Sequence, residues 1–188
     1  MKEIEILVEV YESYDKIKNK LEQFDYKETK KIIDEYFYDP TRNDLKPDKN
    51  GKIYNCLRVR QKENKYTITY KDDVYENGKW LYSNEYETEV KSVEVIKQII
   101  NKLGLKKFIE IENEKRYYYF KDYEIVLERV KDLGLFMEVE YCTNEDIDVK
   151  NVKKEIQDFI NGLDLKVSEE LNMGKPEMYL IKHNIVID

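Results

Sequence analysis

Residues 3–10 alternate between two faces: Ile4, Ile6, Val8 and Val10 on one, Glu3, Glu5, Leu7 and Glu9 on the other. A period of two with one apolar face predicts a strand. Over 13–24 the period changes. Ile17, Leu21 and Phe24 fall at helical spacing, and Ser13 stands where an N-cap belongs. A second strand is expected near 28–38, then a loop over 39–52 that holds Pro40, Asn43, Pro47, Asn50 and Gly51. Segments 53–62 and 65–72 read as a hairpin turning at Glu63-Asn64, and 84–90 as a further strand. Ser92 opens a helix with Val95, Ile96, Ile99, Ile100 and Leu103 on its apolar side, and Gly104 stops it. Strands follow at roughly 107–114, 115–121, 124–130 and 135–142, with turns at Asp122-Tyr123 and Asp132-Leu133-Gly134. A third amphipathic helix covers 149–162, and Pro176 can open a short last one. Many strands and few helices define an α+β class with mostly antiparallel pairing.

Composition narrows this picture. The 188 residues fit a single domain spanning 1–188, long enough to bury a core. Charged residues make up 39%, yet the 41% apolar fraction is rich in Ile, Val, Leu and Tyr, which a disordered chain would lack. A net charge of −7 argues against general nucleic-acid binding, which needs cations to replace counterions. It leaves room for a small anion held by a local basic patch or a bound metal. Cys56 and Cys142 form no CxxC or CxxH cluster, which argues against a zinc site. The charged start, Met1-Lys2-Glu3-Ile4-Glu5, is unlike a signal peptide, and no apolar run approaches a membrane span. The expectation is a cytoplasmic protein with no membrane partner.

Alternation also shows which charges share a face. Glu3 and Glu5 form one pair and Glu138 and Glu140 another, while Glu85, Glu87 and Glu89 make an acidic row. Arg58 and Arg60 form a basic pair, Lys71 ends a strand, and Lys115 and Arg116 lie side by side. Residues i and i+2 on a strand are roughly 6.5–7 Å apart at Cα. Two carboxylates so spaced can converge on a hard cation such as Mg²⁺ or Mn²⁺, and paired arginines offer planar donors to phosphate. The same pattern also describes any half-exposed antiparallel sheet, with Glu rows facing Arg and Lys rows as cross-strand pairs. Periodicity does not say whether the charged faces point to solvent or into a barrel. His183, the lone histidine, has no triad partner, and neither GxxxxGK[ST] nor GxGxxG occurs.

The ordered motifs resemble the CYTH domains, or triphosphate tunnel metalloenzymes, which include class IV adenylyl cyclases and thiamine and inorganic triphosphatases. Glu3-Ile4-Glu5-Ile6-Leu7 is similar to the family's ExExK strand, Tyr36-Phe37-Tyr38-Asp39 to its YFD strand end, and Leu57-Arg58-Val59-Arg60 to its LRxR. Thr69-Tyr70-Lys71 is similar to its TYK, and Val126 through Glu140 to its LDxVxxLGxFxEIE block. The resemblance implies a closed eight-stranded antiparallel β-barrel with flanking helices. In it Glu3, Glu5, Glu138, Glu140 and Glu128 would hold Mg²⁺ or Mn²⁺. Arg58, Arg60, Lys71, Arg116 and Lys115 would hold a triphosphate, with Glu85, Glu87 and Glu89 as acidic lining. Its partner would be ATP or inorganic triphosphate, and a homodimer stays open. Four positions depart from the pattern: Leu7 replaces the lysine of ExExK, Glu114 a common lysine, Asn84 an arginine, and Glu128 an aspartate. Three functions stay open: a metal-dependent phosphohydrolase, a class IV type adenylyl cyclase, and a non-catalytic polyphosphate or nucleotide binder.

Overall fold

The computed structural model describes residues 1–187. Eight strands close into a barrel in the order β1-β5-β4-β3-β2-β6-β7-β8. They are β1 (Lys2–Glu9), β2 (Asp25–Tyr38), β3 (Asn55–Lys62), β4 (Lys65–Glu76), β5 (Lys79–Val90), β6 (Lys106–Phe120), β7 (Tyr123–Val130) and β8 (Gly134–Thr143). Every pairing is antiparallel. β1 meets β5 only at Lys2 and Glu3, and the 166–171 segment covers the rest of that edge, so closure leaves no long open edge of the kind that invites aggregation. Four helices flank the barrel: α1 (Tyr14–Leu21), α2 (Val93–Lys102), α3 (Val149–Gly162) and α4 (Lys175–His183). None is long and apolar enough to cross a membrane.

The apolar faces read from the sequence lie on the outside of the barrel, under the helices. Ile4, Ile6 and Val8 of β1 join Ile125 and Leu127 of β7 and Met137 and Val139 of β8. Ile17 and Leu21 of α1 and Ile156 and Ile160 of α3 cover them. On another side, Ile100 of α2 packs on Phe37 and Val59. Each such aliphatic side chain contributes about 1.5–3 kcal/mol on burial. Ser13 and Ser92 cap α1 and α2 as expected, accepting from the Lys16 and Val95 amides at 3.4 and 3.3 Å.

Two segments differ from the sequence reading. The expected strands 107–114 and 115–121 are one continuous strand, β6, paired along most of its length with β2. The stretch 73–83, assigned to no element, extends the β4–β5 hairpin to a turn at Asn77-Gly78, where both residues have positive φ of 52° and 79°. That tight turn suits the right-handed twist of the flanking strands. Charged Asp73 sits inside this extension because Ser83 Oγ donates to its carboxylate at 2.6 Å.

Candidate functional site

With the apolar faces turned outward under helices, the alternate residues of every strand must line the lumen. The sequence strands this lining with charge. The cavity measures about 620 Å³ and is open where the β3–β4 turn and the starts of β2 and β7 meet, a rim carrying Lys27, Lys30, Lys62 and Lys65. At the opposite end the lumen turns apolar. Leu7, Tyr36, Ile109, Ile111, Val130 and Phe136 form a floor, and Leu180 of α4 is buried against it. Backbone bonds hold the segment leading to α4 along the end of β1: the Ser168 amide donates to Glu9 at 2.9 Å and that of Leu171 to Leu7 at 3.0 Å.

The carboxylates cluster on β1, β7 and β8. Register places Glu5 directly opposite Glu140, and Glu140 opposite Glu124. Lys71 Nζ donates to Glu3 at 2.7 Å and also pairs with Glu85. Burial alone would raise the Glu3 carboxyl, but Lys71 outweighs it and holds the group at about 2. Glu5 behaves oppositely: burial, then the Glu138 and Glu3 charges, push it well above the ordinary carboxyl range. Glu140 is raised in the same way, by burial and then by Glu3 and Glu138. These two carboxyls stand among like charges with too little positive charge nearby.

The cations stand across the lumen on β3, β4 and β6. Arg60 donates to both oxygens of Asp34, at 2.7 and 2.8 Å. Asp34 is 2% exposed, and Arg60 holds its carboxyl well below the usual range despite burial. Arg58 donates to Thr69 at 3.2 Å and lies 3.5 Å from Glu87, while its Nε is buried with no hydrogen-bond partner. Thr67 Oγ1, also in the lining, is likewise unpartnered. Lys115 Nζ lies 3.0 Å from Glu138 and 3.4 Å from Glu128. Those carboxylates raise the Lys115 ammonium against the effect of its burial. Lys115 and, after it, Lys175 hold the Glu138 carboxyl well below its usual range, although burial opposes them.

The structure gathers Glu3, Glu5, Glu138, Glu140, Arg58, Arg60, Lys71 and Lys115 around one cavity, with Glu128 fully buried just behind that lining, against Lys115 and Lys175. The acidic row of β5 fans outward: Glu85 lies deep against Lys71, Glu87 nearer the surface beside Arg58, and Glu89 at the rim, 3.8 Å from Lys65. Arg116 corrects the sequence reading. It lies outside the barrel, bonded to Glu22 at 2.8 Å and Tyr118 at 2.7 Å, with its guanidinium 3.9 Å from the Tyr26 ring centroid. Successive residues of a strand face opposite sides, so Lys115 and Arg116 cannot both enter the lumen. Glu114, facing outward beside Arg129, takes no part either.

Sequence reasoning missed Asp34, Lys175 and Cys142. Asp34 sits in Ile32-Ile33-Asp34-Glu35, where no clean alternation marks a face. Lys175 reaches the lumen from α4, and strand periodicity carries no signal for it. Glu3, Glu140 and Cys142 offer ligand atoms that lie within 4.8 Å of one another. Oxygen donors so close, two lumen carboxyls strained upward by like charge, and unpartnered Arg58 and Thr67 atoms fit a divalent cation and an anion bound together.

A closed tunnel with acidic and basic linings is the arrangement expected of one family, and the CYTH domain family model matches residues 1–171. The chain belongs to the CYTH domain family. A Methanocaldococcus jannaschii protein provisionally named an adenylate cyclase is 26% identical over 167 residues, covering 88% of this chain and 91% of its own. A solved structure from Pyrococcus horikoshii OT3 superposes with a TM-score of 0.81 at 22% identity, covering 96% of this chain and 99% of that one. A Hippeastrum protein, provisionally named an adenylyl cyclase and described as having a dominant triphosphatase activity, superposes with a TM-score of 0.64 at 15% identity. That match covers 99% of this chain and 97% of the other. The two structures show a shared fold.

Proposed function

We propose that this protein is a metal-dependent phosphohydrolase acting on inorganic triphosphate or a nucleoside triphosphate. The observation that carries the reading is a lumen narrowed at one end by apolar side chains packed under α4 and charged from there to the rim. In this reading a phosphate chain enters from the basic rim and leads with its free terminus. The terminal phosphorus then lies deepest, beside the carboxylates, and any attached nucleoside stays at the rim. Arg58, Arg60, Lys71 and Lys115 hold phosphate oxygens through charge-assisted hydrogen bonds. Glu3, Glu5, Glu128, Glu138 and Glu140 hold Mg²⁺ or Mn²⁺, which offsets phosphate charge when bound. Water forms a bond to the terminal phosphorus as the bridging P–O bond breaks. The products are orthophosphate and pyrophosphate, or orthophosphate and a nucleoside diphosphate.

A second reading, cyclisation of ATP to cyclic AMP and pyrophosphate, is favoured by the naming of the Methanocaldococcus relative. It requires attack at the α-phosphorus, which a terminus-first chain places nearest the rim. The test is to incubate the protein with tripolyphosphate and with ATP, each with Mg²⁺ or Mn²⁺, and resolve the products. Orthophosphate is expected. Cyclic AMP with pyrophosphate would replace the first reading by the second. Tight polyphosphate binding with no turnover under either metal would leave a binding module.

A further inference from the structure

Glu138 in the lumen lining and Glu128 beside it are both buried, 4% and 0% exposed. Each is approached by a lysine on either side. Lys115, fixed in the barrel wall, lies against their Oε2 atoms at 3.4 and 3.0 Å. Lys175 Nζ contacts both Oε1 atoms. Lys175 is unlike the other lysines and arginines that line the cavity because it belongs to no strand. It is the first residue of α4, a helix held on the barrel by a different set of contacts. Glu177 accepts from the Ile53 amide at 3.0 Å and from the Gly174 amide at 2.6 Å, and Leu180 is buried in the floor.

We propose that Lys175 is a tethered occupant of a cation position between Glu128 and Glu138, and that a divalent ion takes this position by displacing it. Two buried carboxylates side by side need positive charge, and an ammonium on a flexible stem supplies it as a single charge with three donors. A divalent ion brings twice the charge and binds carboxylate oxygens at about 2.0–2.2 Å. The two cations cannot share those oxygens. The ion's apparent affinity is therefore lowered by the fraction of molecules in which Lys175 is seated. Displacement also removes the tie from the first turn of α4 to the buried carboxylates, leaving the Glu177 and Leu180 contacts to hold the helix, so metal occupancy is coupled to the element that packs on the floor. This inference rests on the reading that the lumen carboxylates take a divalent ion.

The experiment titrates Mn²⁺ into the full chain by calorimetry with no phosphate present, for wild type, Lys175→Met and Lys175→Arg. About tenfold tighter binding is expected for Lys175→Met, and near-wild-type affinity for Lys175→Arg, which keeps the charge. Circular dichroism confirms that each variant is folded. In wild type, Mn²⁺ should also speed amide hydrogen exchange over 174–180. Equal or weaker binding by folded Lys175→Met, or exchange in α4 that Mn²⁺ leaves unchanged, overturns the displacement. If Mn²⁺ binds wild type and is lost in Glu138→Gln, that failure leaves the metal reading standing. If Mn²⁺ binds neither wild type nor Lys175→Met, the metal reading falls and the displacement with it.

Discussion

The upper and lower halves of the lumen are built by the same strands and have opposite chemistry. Passing down the barrel, β1 changes from Glu3 and Glu5 to Leu7, β8 from Glu140 and Glu138 to Phe136, and β7 from Glu124 to Val130. β6 changes from Lys115 to Ile111 and Ile109, and β2 from Asp34 to Tyr36. The charged half alone would be a wet channel in which ion pairs are screened. The apolar floor excludes water at one end and lowers the local dielectric, so each charge above it acts more strongly. An apolar residue at position 7 thus has a role in the floor, where a lysine would have to be buried.

Breaking the charged half should have the largest effect. Arg60→Ala is expected to lower kcat/KM for tripolyphosphate by roughly 10²–10³-fold, the cost of losing one preorganised donor. It also leaves Asp34 buried and unpaired, at about 3–5 kcal/mol of stability. The double variant Arg60→Ala with Asp34→Asn should recover much of that stability in urea unfolding and none of the activity. Breaking the floor comes next. Leu180→Ala, which empties a buried leucine site, should cost about 2–5 kcal/mol by the same measurement.

A pH comparison sharpens the contrast within the charged half. Glu5 binds its proton more tightly folded than unfolded, so in metal-free buffer it costs stability as pH rises above the ordinary value of 4.5. Glu5→Gln should therefore gain in melting temperature relative to wild type as pH is raised, and added Mn²⁺ should erase the gain. Glu3, held at about 2, works the other way: its contribution is present above the unfolded value and is lost as pH falls through about 2. The smallest effect is expected outside the barrel. Arg116→Ala should leave kcat/KM within about twofold and cost about 1 kcal/mol, mainly its contacts with Tyr26 and Glu22.

Much of this contrast was legible in the strand pattern. The glutamate pairs of β1 and β8 and the arginine pair of β3 were readable because period two assigns them one face each. That the face is inward became readable only from the resemblance, since an open sheet gives the same alternation. Arg116 was misplaced because motif similarity put it beside Lys115, and only the register of β6 shows which of two neighbours turns in. Lys175 could not be read at all. It acts through the docking of α4, a tertiary contact between segments distant in sequence. Asp34 was hidden in a run with no alternation, and its role is visible only with Arg60 opposite it across two strands.

The seam between β1 and β8 has a consequence for the order of folding. β4 and β5 are joined by a two-residue turn and can zip together locally, but β1 must find β8 after most of the chain has been made. Non-local pairings of this kind are slow because loop-closure entropy opposes them before any contact rewards them. Glu5 meets the Glu138 charge, and Glu140 the Glu3 charge, only across that seam. The mutual repulsion of these carboxylates is therefore met at the moment of closure, and a divalent ion present during refolding should speed the last phase rather than the first.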